Sequence, residues 1–145
     1  MKFPFKNSFL SWFLKKRIHQ IDLFMKYPMA VQKEVLSALL ETTKNTAFGL
    51  EHNFSSINSY DEFCKKIPIR TYEDIFPYIE RLRSGEKNVF WPGRTKWFAK
   101  SSGTTNAKSK FIPFTENALN NCHYKAGKDM LAIYCNNHPQ TKIFD

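Results

Sequence analysis

The sequence predicts an α/β chain, α+β within its 145 residues, in which several helices precede one β-hairpin and a last helix. Apolar residues recur at three- and four-residue spacing over much of residues 10–82, which is typical of amphipathic helices. Two short aromatic runs, residues 96–100 and 111–113, flank a polar loop as paired strands do. Hydrophobic residues make up 42% of the chain, which excludes a disordered chain because burying them offsets the entropy of ordering.

A proline separates the first two predicted helices. The apolar positions of the first are Leu10, Leu14, Ile18, Ile21 and Met25. Pro28 ends or resets this helix, because proline lacks the N–H that the helix needs at that point. The apolar positions of the second are Val31, Val35, Leu36, Leu39 and Leu40. We expect the second helix to close near Gly49.

Side-chain caps mark the next two helices. Ser59 and Glu62 have the spacing of a capping box, in which each side chain satisfies a free backbone N–H at the start of the helix. Thr71 and Asp74 cap the following helix in the same way. That helix ends at Gly85, because glycine adopts the left-handed conformation that often follows a last turn.

The last predicted helix begins after Thr115, a residue type suited to an N-cap. Its predicted buried stripe consists of Leu119, Cys122, Ala126, Met130 and Ile133. On such a stripe Cys122 is expected to be an inert buried thiol rather than a nucleophile.

The loop between the predicted strands, residues 101–110, reads SSGTTNAKSK and has the composition of a phosphate-binding loop. Gly103 allows the backbone to turn so that successive N–H groups converge on an anion. The serine and threonine hydroxyls add neutral donors, and Lys108 and Lys110 add positive charge. A hydrogen bond to a charged phosphate contributes about 1.5–3 kcal/mol, so a few of them give useful nucleotide affinity.

The loop is not a Walker loop. That motif needs a second glycine before its lysine and opens a helix, whereas this loop has Ala107 near that place and leads into a strand. On composition alone, two plainer interpretations stay open. One is that the loop is an ordinary polar connection of a hairpin. The other is that Lys108 and Lys110 are solvated surface lysines rather than phosphate ligands.

The residues around this loop resemble a known family. From Pro68 to Pro113 the chain carries Tyr72-Glu73-Asp74, the turn Trp91-Pro92-Gly93 and Ser101-Ser102-Gly103-Thr104-Thr105 in that order. This stretch resembles the start of the auxin-responsive Gretchen-Hagen-type acyl acid amido synthetases, which belong to the adenylate-forming superfamily. Residues 46–49, 59–63 and 142–145 are similar to the same N-terminal region.

The resemblance implies a ligase that spends ATP, with Mg²⁺, to activate a small carboxylic acid as an acyl-adenylate. An amino acid acceptor then attacks the adenylate and an amide forms. Ser101, Ser102, Gly103, Thr104 and Thr105 would hold the ATP phosphates, with Lys108 and Lys110 beside them. Ala107 departs from the glycine usual in the family. No catalytic side chain is assigned, because an ionised carboxylate is already a nucleophile.

Members of this family are several times longer than this chain. Residues 1–145 are therefore expected to be an incomplete N-terminal portion of an adenylate-forming, AMP-binding domain. The rest of that domain and a mobile C-terminal domain would follow Asp145. We expect the chain to be catalytically silent by itself.

The cysteines indicate a reducing, cytoplasmic setting. Cys64, Cys122 and Cys135 form no close pair, and the N-terminal apolar run is too short for a signal peptide. A zinc site formed by Cys122, His123, Cys135 and His138 has poor spacing, since adjacent residues diverge by about 100° on a helix. Tyr72, Trp91 and Trp97 are expected to be packing residues rather than platforms for base stacking.

Net charge supports an alternative function without catalysis. The chain carries +9, from 22 basic and 13 acidic residues, and residues 1–33 hold seven basic residues against one acidic residue. A basic helix with interleaved aromatic residues suits nucleic acid or an anionic membrane surface. No nucleic-acid motif accompanies the charge, however, and neither partner is expected for the ligase.

Overall fold

A computed structural model describes residues 5–101 and 109–141 of the chain. The helices are α1 (Phe5–Lys26), α2 (Pro28–Thr43), α3 (Ala47–Glu51), α4 (Tyr60–Lys66), α5 (Tyr72–Arg83), α6 (Glu116–Ala118) and α7 (Lys125–Asn137). A 3₁₀ turn spans Phe54–Ser56 and a π-helical segment spans Leu119–Tyr124. Strands β1 (Trp97–Lys100) and β2 (Phe111–Phe114) pair antiparallel. This order confirms the mixed organisation of helices and one hairpin that the sequence predicts.

The chain divides into two compact units, residues 1–31 with 117–145 and residues 32–116. In the first unit α1 packs against α7. The Arg17 guanidinium donates two hydrogen bonds to the Asp129 carboxylate, one through Nε and one through Nη2, the latter 2.6 Å long. Leu14 and Ala132 are buried on these two helices. The bidentate ion pair joins α7 to α1.

The core of the second unit is formed by α5 and the segment that follows it. Its buried members are Tyr78, Ile79, Leu82 and Val89. Phe48, Tyr72, Phe90, Phe98 and Phe111 pack against them and are partly buried. Ile79 and Val89 are the most deeply buried members of this cluster, with 1% and 0% of their surface exposed. The strands reach this core through Phe98 and Phe111.

Local signals explain where α5 begins and ends. The Thr71 hydroxyl accepts the Asp74 N–H at 3.3 Å, and the Asp74 carboxylate accepts the Thr71 N–H at 2.7 Å. This is the capping box that the sequence predicts. The helix stops at Arg83, and Gly85 follows with a φ of 92°, which is the left-handed conformation that glycine adopts without strain.

A backbone close approach fixes α3. The Ala47 and Phe48 N–H groups donate to the carbonyls of Asn88 and Val89, at 2.7 and 3.1 Å. A Cβ atom added to Gly49 would lie 2.1 Å from the Thr43 carbonyl oxygen, so only glycine fits there.

The end of α2 differs from the prediction. The helix ends at Thr43 rather than near Gly49, and α3 is a separate short helix. The Thr46 hydroxyl accepts the Gly49 N–H and caps that new helix, which is why the first helical run cannot continue through it. Pro28 begins α2, as predicted, and Tyr27 alone separates it from the end of α1.

The buried stripe predicted for the last helix is wrong. Cys122, Ala126, Met130 and Ile133 are all exposed, while Ala132 is buried. The π-helical segment from Leu119 to Tyr124 explains the shift, because its wider turns rotate every later residue relative to a continuous α-helix. The prediction assumed one constant period, which placed Cys122 on a buried face.

Candidate polyphosphate-binding site

The hairpin brings the two ends of the hydroxyl-rich loop together. The register pairs Trp97 with Phe114 and Lys100 with Phe111. One position further, the Ser101 N–H donates to the Lys110 carbonyl oxygen at 3.0 Å. Ser101 and Lys110 therefore face each other across the base of the loop, as the strand–loop–strand prediction requires.

Ser101 helps to close the base of the loop through its side chain. Its hydroxyl oxygen accepts the Lys110 N–H at 3.3 Å. A serine hydroxyl has one proton to donate besides the lone pairs that accept, so this contact leaves the Ser101 proton available to an anion. The residue is half-buried, which lowers the competition from water at this position.

Lys110 places an ammonium group at the same end of the loop. Its Nζ lies 3.6 Å from Glu73 Oε1 and 4.9 Å from the centre of the Tyr72 ring. The side chain remains 43% exposed, so its charge is accessible to a ligand from solvent. Lys110 therefore reaches back over the start of α5, where a carboxylate and an aromatic face both attract it.

The Glu73 carboxylate is held in its charged form. Its pKa lies below the usual range because it accepts a hydrogen bond from its own backbone N–H and lies close to the Lys110 ammonium. At neutral pH the pair is thus ionic, and an anion that binds Lys110 has to compete with this carboxylate.

Ser102, Gly103, Thr104, Thr105 and Lys108 lie outside the described residues. Their assignment to phosphate contacts stays a prediction from the sequence. Ala107 also lies outside that part of the chain.

Sequence reasoning missed the role of Tyr72. It predicts a packing residue, and the ring does pack against the core. In addition, the Tyr72 hydroxyl accepts the Phe111 N–H at 2.8 Å and donates to the Phe111 carbonyl oxygen at 3.4 Å. The two residues are 39 positions apart, so no local pattern could have indicated this contact.

The zinc alternative receives no support from the described residues. Within residues 5–101 and 109–141, no three His, Cys, Asp or Glu side chains are arranged to hold a metal ion. Cys64, Cys122 and Cys135 all carry free thiols. In the same part of the chain, none of the helices has the length and apolar character needed to cross a bilayer.

Comparisons with a family model and with curated proteins point to the same family. Residues 17–144 match the model described as GH3 family N-terminal domain. The chain is 30% identical to the jasmonoyl-L-amino acid synthetase JAR4 of Nicotiana attenuata, over 70% of this chain and 18% of that protein. It is 32% identical to the probable indole-3-acetic acid-amido synthetase GH3.2 of Oryza sativa subsp. japonica, over 62% of this chain and 15% of that protein.

A third relative is similar to the same extent. The indole-3-acetic acid-amido synthetase GH3.2 of Arabidopsis thaliana is 29% identical over 72% of this chain and 19% of its own length. The chain thus spans less than a fifth of the length of these curated relatives.

Proposed function

Because this chain belongs to the GH3 family, we propose that it supplies the phosphate-binding loop of an ATP-dependent acyl acid amido synthetase. In this proposal residues 1–145 are the N-terminal portion of an adenylate-forming domain. The observation that carries the proposal is the closed base of the loop, where Ser101 and Lys110 are paired across an antiparallel hairpin. The proposed substrates are ATP, a small carboxylic acid and an amino acid acceptor, and the proposed setting is cytoplasmic.

The reaction assigns a clear task to the loop. A carboxylate attacks the α-phosphorus of ATP, pyrophosphate leaves, and the acyl-adenylate then reacts with the amine of the acceptor. Negative charge accumulates on the leaving pyrophosphate during the first step. Hydroxyl donors from residues 101–105 and the Lys110 ammonium would stabilise that charge, and fixed donors cost no reorganisation during the reaction.

The described residues fit ATP better than Mg²⁺. At the base of the loop they offer a hydroxyl proton from Ser101 and a cation from Lys110, both of which suit phosphate oxygen. Mg²⁺ prefers carboxylate oxygens and water. The nearby carboxylate, Glu73, is already engaged by Lys110, and the described part of the chain holds no acidic cluster. We assign no Mg²⁺ ligand to this chain.

The test removes hydroxyl donors from the loop. In the enzyme that contains this chain, Ser102→Ala and Thr104→Ala are each expected to lower kcat/KM for ATP about five- to a hundredfold, since each loses a hydrogen bond to phosphate. The measurement is ATP-dependent pyrophosphate exchange. Ser37→Ala, at an exposed position on α2, is the matched control and should have no effect. Unchanged exchange in both loop variants would exclude the loop from the mechanism.

A further inference from the structure

We propose that Tyr72 is a positioning residue that holds Lys110, at the end of the loop, in place for polyphosphate binding. This inference rests on the proposed function, because it assigns a role to the same loop. Three described contacts carry it. The Tyr72 hydroxyl group bonds to the Phe111 backbone, the Tyr72 ring lies against the Lys110 ammonium, and the Glu73 carboxylate lies close to the same ammonium.

The hydroxyl group satisfies a free edge of the hairpin. Phe111 pairs with Lys100, one position beyond the bonded contact between Ser101 and Lys110. In an antiparallel ladder that position is non-hydrogen-bonded, so the Phe111 N–H and carbonyl point away from β1. Tyr72 satisfies both groups with one hydroxyl, which accepts from the N–H at 2.8 Å and donates to the carbonyl at 3.4 Å.

The ring and its neighbour act on the side chain of Lys110. Lys110 immediately precedes Phe111, so fixing the Phe111 backbone also fixes where the lysine side chain begins. The ammonium lies 4.9 Å from the Tyr72 ring centre and 3.6 Å from Glu73 Oε1. Backbone and side chain of the lysine are thus both held by adjacent residues of α5.

Tyr72 is itself in contact with the core. It is the first residue of α5, directly after the Thr71 cap, and its ring packs on the core that contains Ile79 and Leu82. The opposite end of α5 also contacts the strand, since the Arg83 guanidinium carbon lies 4.1 Å from the centre of the Phe111 ring. Residues at both ends of α5 therefore contact Phe111. Because Lys110 is the preceding residue, these contacts also position its backbone.

Tyr72→Phe separates positioning from packing, because it removes the hydroxyl and keeps the ring. The matched control is Tyr124→Phe, which removes a phenol hydroxyl from an exposed side chain in the other unit. Lys110→Met, which removes the charge and keeps most of the length, tests the proposed phosphate contact directly.

The experiment uses the ¹⁵N-labelled 145-residue chain, titrated with inorganic triphosphate while the amide signals of Ser101 and Lys110 are followed. Hydrogen exchange of the Phe111 amide is measured on the same samples. Tyr72→Phe is expected to speed that exchange and to weaken triphosphate binding about two- to tenfold, the effect of losing one neutral hydrogen bond. Tyr124→Phe should leave both readouts unchanged.

Two outcomes separate failure of this inference from failure of the proposed function. If the unsubstituted chain binds triphosphate, Lys110→Met weakens binding and Tyr72→Phe does not, the positioning role is overturned while the phosphate site stands. If the unsubstituted chain and Lys110→Met give the same response to triphosphate, Lys110 does not bind phosphate. In that case the positioning role proposed for Tyr72 is also wrong.

Discussion

At the scale of single residues, the most demanding position is Gly49. The carbonyl oxygen of Thr43 occupies the space where a side chain at position 49 would begin, 2.1 Å from an added Cβ. Thr43 and Thr46 are both buried beside it, so the turn between α2 and α3 has little room to relax. The requirement here comes from close approach of two backbone segments, not from an unusual φ.

We therefore expect Gly49→Ala to destabilise the chain by about 1–3 kcal/mol, because one extra methyl group forces the backbone at Thr43 to move. The measurement is the free energy of unfolding in urea. Gly127→Ala is the matched control, since an added Cβ there meets no atom within 4 Å and the residue lies inside α7. That control should be neutral or stabilising by about 0.5–1 kcal/mol, the helix propensity gained over glycine. Equal effects of the two substitutions would contradict the close approach.

At the scale of elements, one partly buried ion pair joins α1 to α7. The Arg17 and Asp129 side chains are 11% and 27% exposed. The two hydrogen bonds from the Arg17 guanidinium are the main cause that holds the pKa of Asp129 below its ordinary value. Burial opposes this effect but does not overcome it.

This pair predicts a loss of stability in acid. Because the pKa of Asp129 is lower in the folded chain than in the unfolded chain, the pair stabilises fully above the ordinary value of about 3.9. The stabilisation is then lost as pH falls through the pKa that Asp129 has in the folded chain. Asp129→Asn should cost about 1–3 kcal/mol at pH 7.

The measurement is the difference in unfolding free energy between the chain and Asp129→Asn at neutral and at strongly acidic pH. The difference is expected to shrink below a pH of about 4. A double-mutant cycle with Arg17→Met isolates the pairwise part of the effect. A difference that is the same at both pH values would show that the ion pair does not hold these helices together.

Several element boundaries could be predicted because their signals are local. The two ends of α5 are marked by nearby residues: Thr71 and Asp74 cap its start, and Gly85 follows its last turn. Ser59 likewise caps α4 by accepting the Glu62 N–H at 3.2 Å, although the Glu62 carboxylate accepts from Asn58 rather than from Ser59.

The base of the site was predictable, since Ser101 and Lys110 lie in one short loop. Two other features could not be predicted from a sequence pattern. The Tyr72 contact with Phe111 joins distant positions, and the π-helical segment changes the helical period without any distinctive residue. The first of these is a tertiary contact, which local preference does not determine.

At the scale of the whole chain, positive charge is the feature that the ligase proposal uses least. Two lysines of α1 lie over aromatic rings, Lys16 5.7 Å from the Trp12 ring centre and Lys26 5.3 Å from that of Tyr27. Such pairs suit binding of a polyanion, and they also occur as ordinary contacts on a solvated helix. A salt titration distinguishes these two roles.

We expect weak binding to double-stranded DNA-cellulose resin, with a shallow dependence on salt that corresponds to fewer than about four phosphate contacts. Lys16→Gln and Lys26→Gln should then change retention little. A nucleic-acid or membrane module would behave differently, with a slope corresponding to about six or more contacts and a drop of nearly one contact for each lysine removed. That result would favour the alternative function over the ligase.

The π-helical segment from Leu119 to Tyr124 also affects how relatives should be aligned. Such a segment accommodates about one residue more than an α-helix of the same length. A homologue with an uninterrupted helix would therefore be one residue shorter between positions 119 and 124. Placing a single-residue gap there keeps Asp129 and Ala132 opposite their counterparts. An ungapped alignment would match Asp129, which pairs with Arg17, and the buried Ala132 with positions on another face of the helix.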